Sequence, residues 1–287
     1  MTANPVAGGR KIGERLVHTR SATLNVLDEG AGPAIVLMHG WSYDLHLWDQ
    51  VVPPLHALGM RTVRFDHRGH GGSPTTPPYP FDDLVADLAA LVEALELERP
   101  ALCGLSLGGF VAMQYAFEHP GDVSALVLAD TCPHPIPQDA EMARTIPCSD
   151  EGPAALAAWW NSGHPLPPGA DPATRAARRE RFVANNDADG LRHAITACAT
   201  RRDVTGNLAG ITAPALVVCG SDDVFFPPTL HADLAAGIRG AELAVISDAG
   251  HISCADRPEE FTATVTDFLS RALTSASPGD RTSTKEN

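Results

Sequence analysis

What most constrains this chain is an alternation of two hydrophobic patterns. Short runs rich in apolar and β-branched residues recur along it, separated by stretches whose apolar residues fall at helical spacing. Residues 24–27, 34–38, 61–65, 101–103, 125–129, 215–219 and 243–246 have strand length, and most have turn-forming flanks. Their near-continuous apolar character predicts strands buried on both faces, as in a parallel sheet. Between them, residues 81–97 keep Phe81, Leu84, Val85, Leu88, Leu91, Val92 and Leu95 on one face, behind Asp82 and Asp83 at the positive helix end. Residues 257–273 do the same with Phe261, Val265, Phe268, Leu269 and Leu273. Alternation of this kind predicts a doubly wound α/β sheet whose site lies at the carboxyl ends of the strands.

One interval breaks the rhythm. From residue 131 to 207 no strand pattern appears, while 154–160, 174–185 and 190–199 read as helical, with the Pro- and Gly-containing stretch 163–169 between the first two. A structureless loop of that length is uncommon in a compact domain, so an inserted helical cap is expected there. The division that follows is a core of residues 1–130 and 208–273, a cap of 131–207, and a disordered tail of 274–287 rich in Ser, Thr and charge.

Charge narrows the partners. With 21 Lys and Arg against 35 Asp and Glu, the net charge is -14, the wrong sign for a nucleic-acid binder. The densest basic run, 175–181, is interrupted by Glu180 and reads as a solvated helix face. No stretch approaches the roughly 18 apolar residues of a membrane span, and residues 1–20 lack the apolar centre of a signal peptide. The expectation is a cytoplasmic protein bound to neither membrane nor nucleic acid. Six cysteines without C-x-x-C spacing fit reduced, buried thiols, and the 12 histidines are too dispersed to suggest a metal site. Homo-oligomerisation stays open.

The sharpest chemical signal is Gly104-Leu-Ser106-Leu-Gly108, a G-x-S-x-G match between a predicted strand and a helical segment. That is the context of a nucleophile elbow, where a strained turn presents a serine and small neighbours relieve the crowding. A serine hydroxyl needs a base, and the base an orienting acid. His251 follows the last predicted strand and suits the base. Asp223, after the strand 215–219, is the favoured acid; Asp222 beside it reads as a solvent or turn-capping residue, and Asp130 is a third candidate. The order Ser, Asp, His is that of α/β-hydrolases. For the oxyanion, the backbone N–H groups of Leu107 and of Trp41, the latter in the loop after 34–38 where Gly40 allows close approach, are the expected donors. His39 reads as a structural support of that loop.

These segments together resemble the α/β-hydrolase superfamily from about residue 15 to 273: His39-Gly40, Asp66-His-Arg-Gly-His-Gly-Gly-Ser73, Gly104 to Gly108, Gly220-Ser-Asp-Asp223 and Gly250-His251. The resemblance implies a mostly parallel eight-stranded sheet with an inserted helical cap. Residues 185–190, 197–199 and 211–217 are similar to 3-oxoadipate enol-lactonases, and Arg68 to Ser73 equally to cofactor-free haloperoxidases and small esterases. Trp41 departs from the smaller residue that enol-lactonases tend to carry there. Trp159 and Trp160 are candidates for the substrate pocket, or equally for an ordinary helical packing pair. The glycines of 66–73 follow no phosphate-binding spacing.

The expected function is a cofactor-independent serine hydrolase cleaving a small carboxylic ester or lactone through an acyl-enzyme, with no metal. The alternatives are a C–C bond hydrolase of ring-cleavage diketones using the same triad, and a non-catalytic small-molecule receptor on the same fold. Ser106 in place of an aspartate excludes epoxide and haloalkane hydrolysis.

Overall fold

A computed structural model describes residues 13–163 and 172–275. Eight strands form one sheet: β1 (Arg15–His18), β2 (Thr23–Glu29), β3 (Ala34–Met38), β4 (Arg61–Phe65), β5 (Ala101–Leu105), β6 (Leu126–Ala129), β7 (Ala215–Gly220) and β8 (Glu242–Ile246). Their order across the sheet is β1-β2-β4-β3-β5-β6-β7-β8. β1 pairs antiparallel with β2, and β2 with β4; the pairings from β4 to β8 are all parallel, so β2 runs against the other seven described strands. All seven predicted runs are strands. β1 is the addition: its four residues stand half-exposed at the sheet edge and carry too little apolar pattern to announce themselves.

Ten α-helices accompany the sheet among the described residues: α1 (Val52–Ala57), α2 (Asp82–Ala94), α3 (Leu107–Glu118), α4 (Pro137–Thr145), α5 (Gly152–Gly163), α6 (Pro172–Asn185), α7 (Ala188–Ala199), α8 (Pro228–Gly237), α9 (Ser253–Asp256) and α10 (Pro258–Ser275). The period-two alternation of the strands sorts their side chains into two cores. Val36 and Met38 of β3, Leu102 of β5 and Leu126 and Leu128 of β6 join α2 and α3 through Leu84, Leu88, Val111 and Met113. Ile35, Leu37, Cys103, Leu105, Val127 and Val218 join α10 through Phe261, Val265, Phe268 and Leu269. Both faces of the sheet are thus covered, which explains why its central strands read as continuous apolar runs.

Between β6 and β7 the described residues contain α4 to α7 and no strand. α5, α6 and α7 correspond to the three predicted helices; α4 is new. Part of the Pro- and Gly-containing stretch, residues 164–169, lies outside the described residues. So does the expected disordered tail beyond residue 275, while its first two residues, 274 and 275, complete the last turn of α10. No described helix is long and apolar enough to cross a membrane. Five of the six free cysteines are buried, and Cys148 is half-buried.

The basic run is in part the solvated face expected, with Glu180 and Arg181 exposed, but two of its cations are also ion-paired. Arg178 ion-pairs with Asp256 of α9 at 2.6 Å, and Arg181 with Asp44 at 2.5 Å. Two of its guanidinium groups therefore fasten α6 to the sheet-bearing part, because acidic partners distant in sequence meet them there.

Candidate active site

The carboxyl ends of β3, β5, β6, β7 and β8, neighbours in the sheet and parallel, bring their following residues to one edge. At the centre, β5 ends at Leu105 and α3 begins at Leu107, leaving Ser106 alone to make the turn. Its backbone sits at φ 52°, ψ -112°, a strained conformation for a residue with a side chain, worth on the order of 1–3 kcal/mol. Neighbouring bonds hold it there: Ser106 N–H donates to the Ala129 carbonyl at 2.9 Å, and the Thr131 hydroxyl donates to the Ser106 carbonyl at 3.0 Å. The turn is so tight that a Cβ on Gly104 would lie 2.2 Å from the Gly108 carbonyl oxygen.

Ser106 Oγ lies 3.1 Å from His251 Nε2, and His251 Nδ1 lies 2.9 Å from Asp223 Oδ2. A carboxylate only accepts, so Nδ1 carries the proton and Nε2 is left to accept from the serine hydroxyl. Asp223 is in turn fixed, its Oδ1 accepting the Phe225 and Phe226 N–H groups at 2.8 and 3.0 Å. Burial pushes the His251 imidazole down, but the charge and hydrogen bond of Asp223 prevail and hold it above its ordinary value. Burial likewise works to raise Asp223, and the opposing charge of His251 with the hydrogen bonds it receives brings it below. Phe225 and Phe226 flank the imidazole, ring centroids 4.9 and 5.1 Å away.

The other candidate acids are placed elsewhere. Asp222 is exposed, its N–H donating to the Ala249 carbonyl and its carboxylate accepting from Ser221. Asp130 is fully buried and accepts from Gly220 N–H at 3.0 Å and from the Ser253 N–H and hydroxyl at 3.0 and 2.6 Å. Burial and the nearby charge of Asp223 push Asp130 up to about 7. It ties together the loops that carry Asp223 and His251 without contacting the imidazole. Among the described residues, Asp130, Asp223 and His231 have ligand-type atoms within 4.8 Å of one another. Each is already engaged: His231 Nε2 accepts the Thr131 N–H at 3.0 Å, and burial holds that imidazole at about 4.

His39 occupies the loop after β3. Its Nδ1–H donates to the Gly40 carbonyl at 2.8 Å and its Nε2 accepts the His67 N–H at 3.0 Å, with burial pushing it down to about 4. It is a neutral brace. Trp41 and Leu107 both line the cavity above Ser106, and the Leu107 amide, first in α3, has no intrahelical acceptor. The Trp41 indole N–H donates to the Leu191 carbonyl of α7 at 2.8 Å.

That cavity has a volume of about 50 Å³. Phe110, Ile136, Met142, Ile195 and Phe226 supply much of its wall, with Asp139 of α4 beside them. Trp159 and Trp160, candidates for either the pocket or helix packing, are not among its lining residues. They stand one layer back, because Trp159 packs edge-on against Trp41 and Trp160 packs on Phe182 at 4.4 Å between α5 and α6. Asp139, Phe225 and Phe226 were not expected. The two phenylalanines directly follow Asp223 and were within reach of a local reading; Asp139 sits in a polar helix that gave no such signal.

The chain belongs to the alpha/beta hydrolase fold family, whose model matches residues 33–258. It is similar to an enol-lactonase structure from Burkholderia xenovorans LB400, at 31 % identity and a TM-score of 0.79 over 89 % of this chain and 100 % of that one. Among curated proteins it is 30 % identical to a pimeloyl-[acyl-carrier protein] methyl ester esterase from Neisseria meningitidis, over 82 % of this chain and 93 % of that protein. It is 27 % identical to 3-oxoadipate enol-lactonase 1 of Acinetobacter baylyi, over 86 % and 92 %. The chain is accordingly an α/β hydrolase.

Proposed function

We propose that this hydrolase is a serine enzyme cleaving a small carboxylic ester or lactone through an acyl-enzyme. The observation that carries the reading is the unbroken hydrogen-bonded series from Ser106 through His251 to Asp223, at 3.1 and 2.9 Å. Ser106 Oγ attacks the acyl carbon as its proton passes to His251 Nε2. The Leu107 and Trp41 amides stabilise the resulting oxyanion, each contributing on the order of 3 kcal/mol to the barrier reduction. His251 returns the proton to the departing alkoxide, then takes one from the water that attacks the acyl carbon and passes it to Ser106 Oγ as the acyl–oxygen bond breaks and the acid leaves. These steps close on the chain's own groups and one water. The substrate is a small molecule handled in the cytoplasm, and residues 131–207 act as the cap that shapes its cavity. The similarity to enol-lactonases and a methyl ester esterase supports the reaction class.

Ser106→Ala tests it. Turnover of p-nitrophenyl acetate is expected to fall at least about 10³-fold, and an organophosphonate is expected to add its mass to Ser106 of the wild type. Wild-type turnover by the variant, or labelling of a different residue, overturns the assignment.

A further inference from the structure

The cavity wall contains one carboxylate and, among the described residues, no Lys or Arg side chain. The carboxylate is Asp139, on α4. Its Oδ2 accepts from Arg201 at 2.6 Å and, at 3.5 Å, from the Ile136 N–H. Its Oδ1 takes no hydrogen bond among the described residues. Arg201 is almost fully buried behind it, donating also to the Cys198 carbonyl at 2.7 Å and lying 3.6 Å from the Phe110 ring centroid. Asp139 thus lines the cavity, while the cation that pairs with it does not. In an otherwise apolar wall, a single placed polar group dictates which substrates are accepted, because a matching donor satisfies it and an apolar or like-charged group leaves it unpaired or repelled. The charge reaches the reacting centre as well, since Asp139 is among the groups that raise His251.

We propose that Asp139 is a specificity-determining residue, selecting small uncharged esters that carry a hydrogen-bond donor and turning away esters that carry a carboxylate. The inference rests on the serine-hydrolase reading above.

Three chain-matched methyl esters test it by pH-stat: methyl butyrate, methyl 3-hydroxybutyrate and monomethyl succinate. For the wild type, kcat/KM is expected to be highest for the hydroxylated ester and about tenfold or more lower for monomethyl succinate than for methyl butyrate. Asp139→Asn keeps the shape and removes the charge, leaving the positive charge of Arg201 uncompensated. It is expected to narrow the gap between butyrate and succinate esters by about tenfold. Equal wild-type rates on those two esters, or a ratio unmoved by the variant, overturn the proposal. Should the variant fail to fold, wild-type inhibition decides: propylboronic acid is expected to inhibit more tightly than 2-carboxyethylboronic acid, and equal inhibition overturns the role. The two readings fail differently. A wild type that turns over no ester and whose Ser106 resists an organophosphonate sinks the serine-hydrolase assignment, whereas a labelled Ser106 with indifferent ratios sinks only Asp139.

Discussion

At His251, two influences of opposite sign meet on one imidazole. Burial favours its neutral form, while the Asp223 carboxylate at 2.9 Å favours the charged form and prevails. A base works only when unprotonated, so the acid limb of activity belongs above the imidazole's ordinary value of 6.5. We expect kcat/KM to rise with pH through a midpoint above 6.5 and to fall away below it; a midpoint at or under 6.5 with chemistry limiting contradicts the account. Asp223→Asn removes the charge that raises the imidazole and replaces an acceptor with a group that can donate. The variant is expected to lose about 10⁴ in kcat, and any residual activity should have its acid limb moved to lower pH. Asp130 offers no rescue, since both its oxygens are committed to Gly220 and Ser253. Residual activity close to wild type would show that another acid orients the base.

The join of β5 to α3 concentrates strain into one residue, and its tightness depends on what flanks it. A methyl group on Gly104 would meet the Gly108 carbonyl at 2.2 Å, backbone against backbone, with no flexible side chain to yield. Gly104→Ala is expected to cost about 2–4 kcal/mol or to leave the chain insoluble. Urea unfolding checks this, and a loss within about 0.5 kcal/mol would show that the elbow can open. This element was legible because its demands are local: strand, small residue, serine, small residue and helix are contiguous in the chain. Asp223 and His251 were legible for a related reason, each directly following a run of strand character. The readings fail where long-range contacts decide. α4 is polar along its length and is held by a buried pair between Asp139 and Arg201, 62 residues apart, which no periodicity reports. The ion pairs of Arg178 and Arg181 escape a local reading because Asp256 and Asp44, their partners, lie far away in sequence. Between pocket lining and helix packing, residue type alone does not choose for Trp159 and Trp160; the contacts of Trp159 with Trp41 and of Trp160 with Phe182 depend on how α5 meets its neighbours.

Across the whole molecule, the sheet and its two apolar layers are joined to the α4–α7 segment partly through polar contacts that reach the loops around the site. Trp41 binds the Leu191 carbonyl, Asn186 donates to the Ser42 carbonyl at 3.1 Å, and Asp44 receives both Arg181 and Asn185, the latter at 2.6 Å. Asp44 is buried, so its oxygens depend on those donors and on the His46 N–H, which Oδ1 accepts at 2.9 Å; Arg181 is 43 % exposed in its side chain, which discounts the pair's electrostatic worth. Burial works to raise the Asp44 carboxyl, but the hydrogen bonds and charge of Arg181 bring it down to about 2, from 3.8. A depressed acid lends stability that is complete above its unfolded value and is lost as pH falls through the folded one. The contact is therefore at full strength from about pH 5 upward and fades only toward pH 2. Asp44→Ala is expected to cost about 2 kcal/mol, and Arg181→Met less, since its far end keeps water. In a double-mutant cycle the two should couple by about 1 kcal/mol at pH 7, with that coupling gone near pH 2 if the chain is still folded there. Because the same loop follows β3 and carries Trp41, each single variant should also raise KM for an ester more than it lowers kcat. Additive effects at pH 7 with KM unchanged would mean that the apolar contacts of Phe182 and Trp160 alone seat the helical segment over the site.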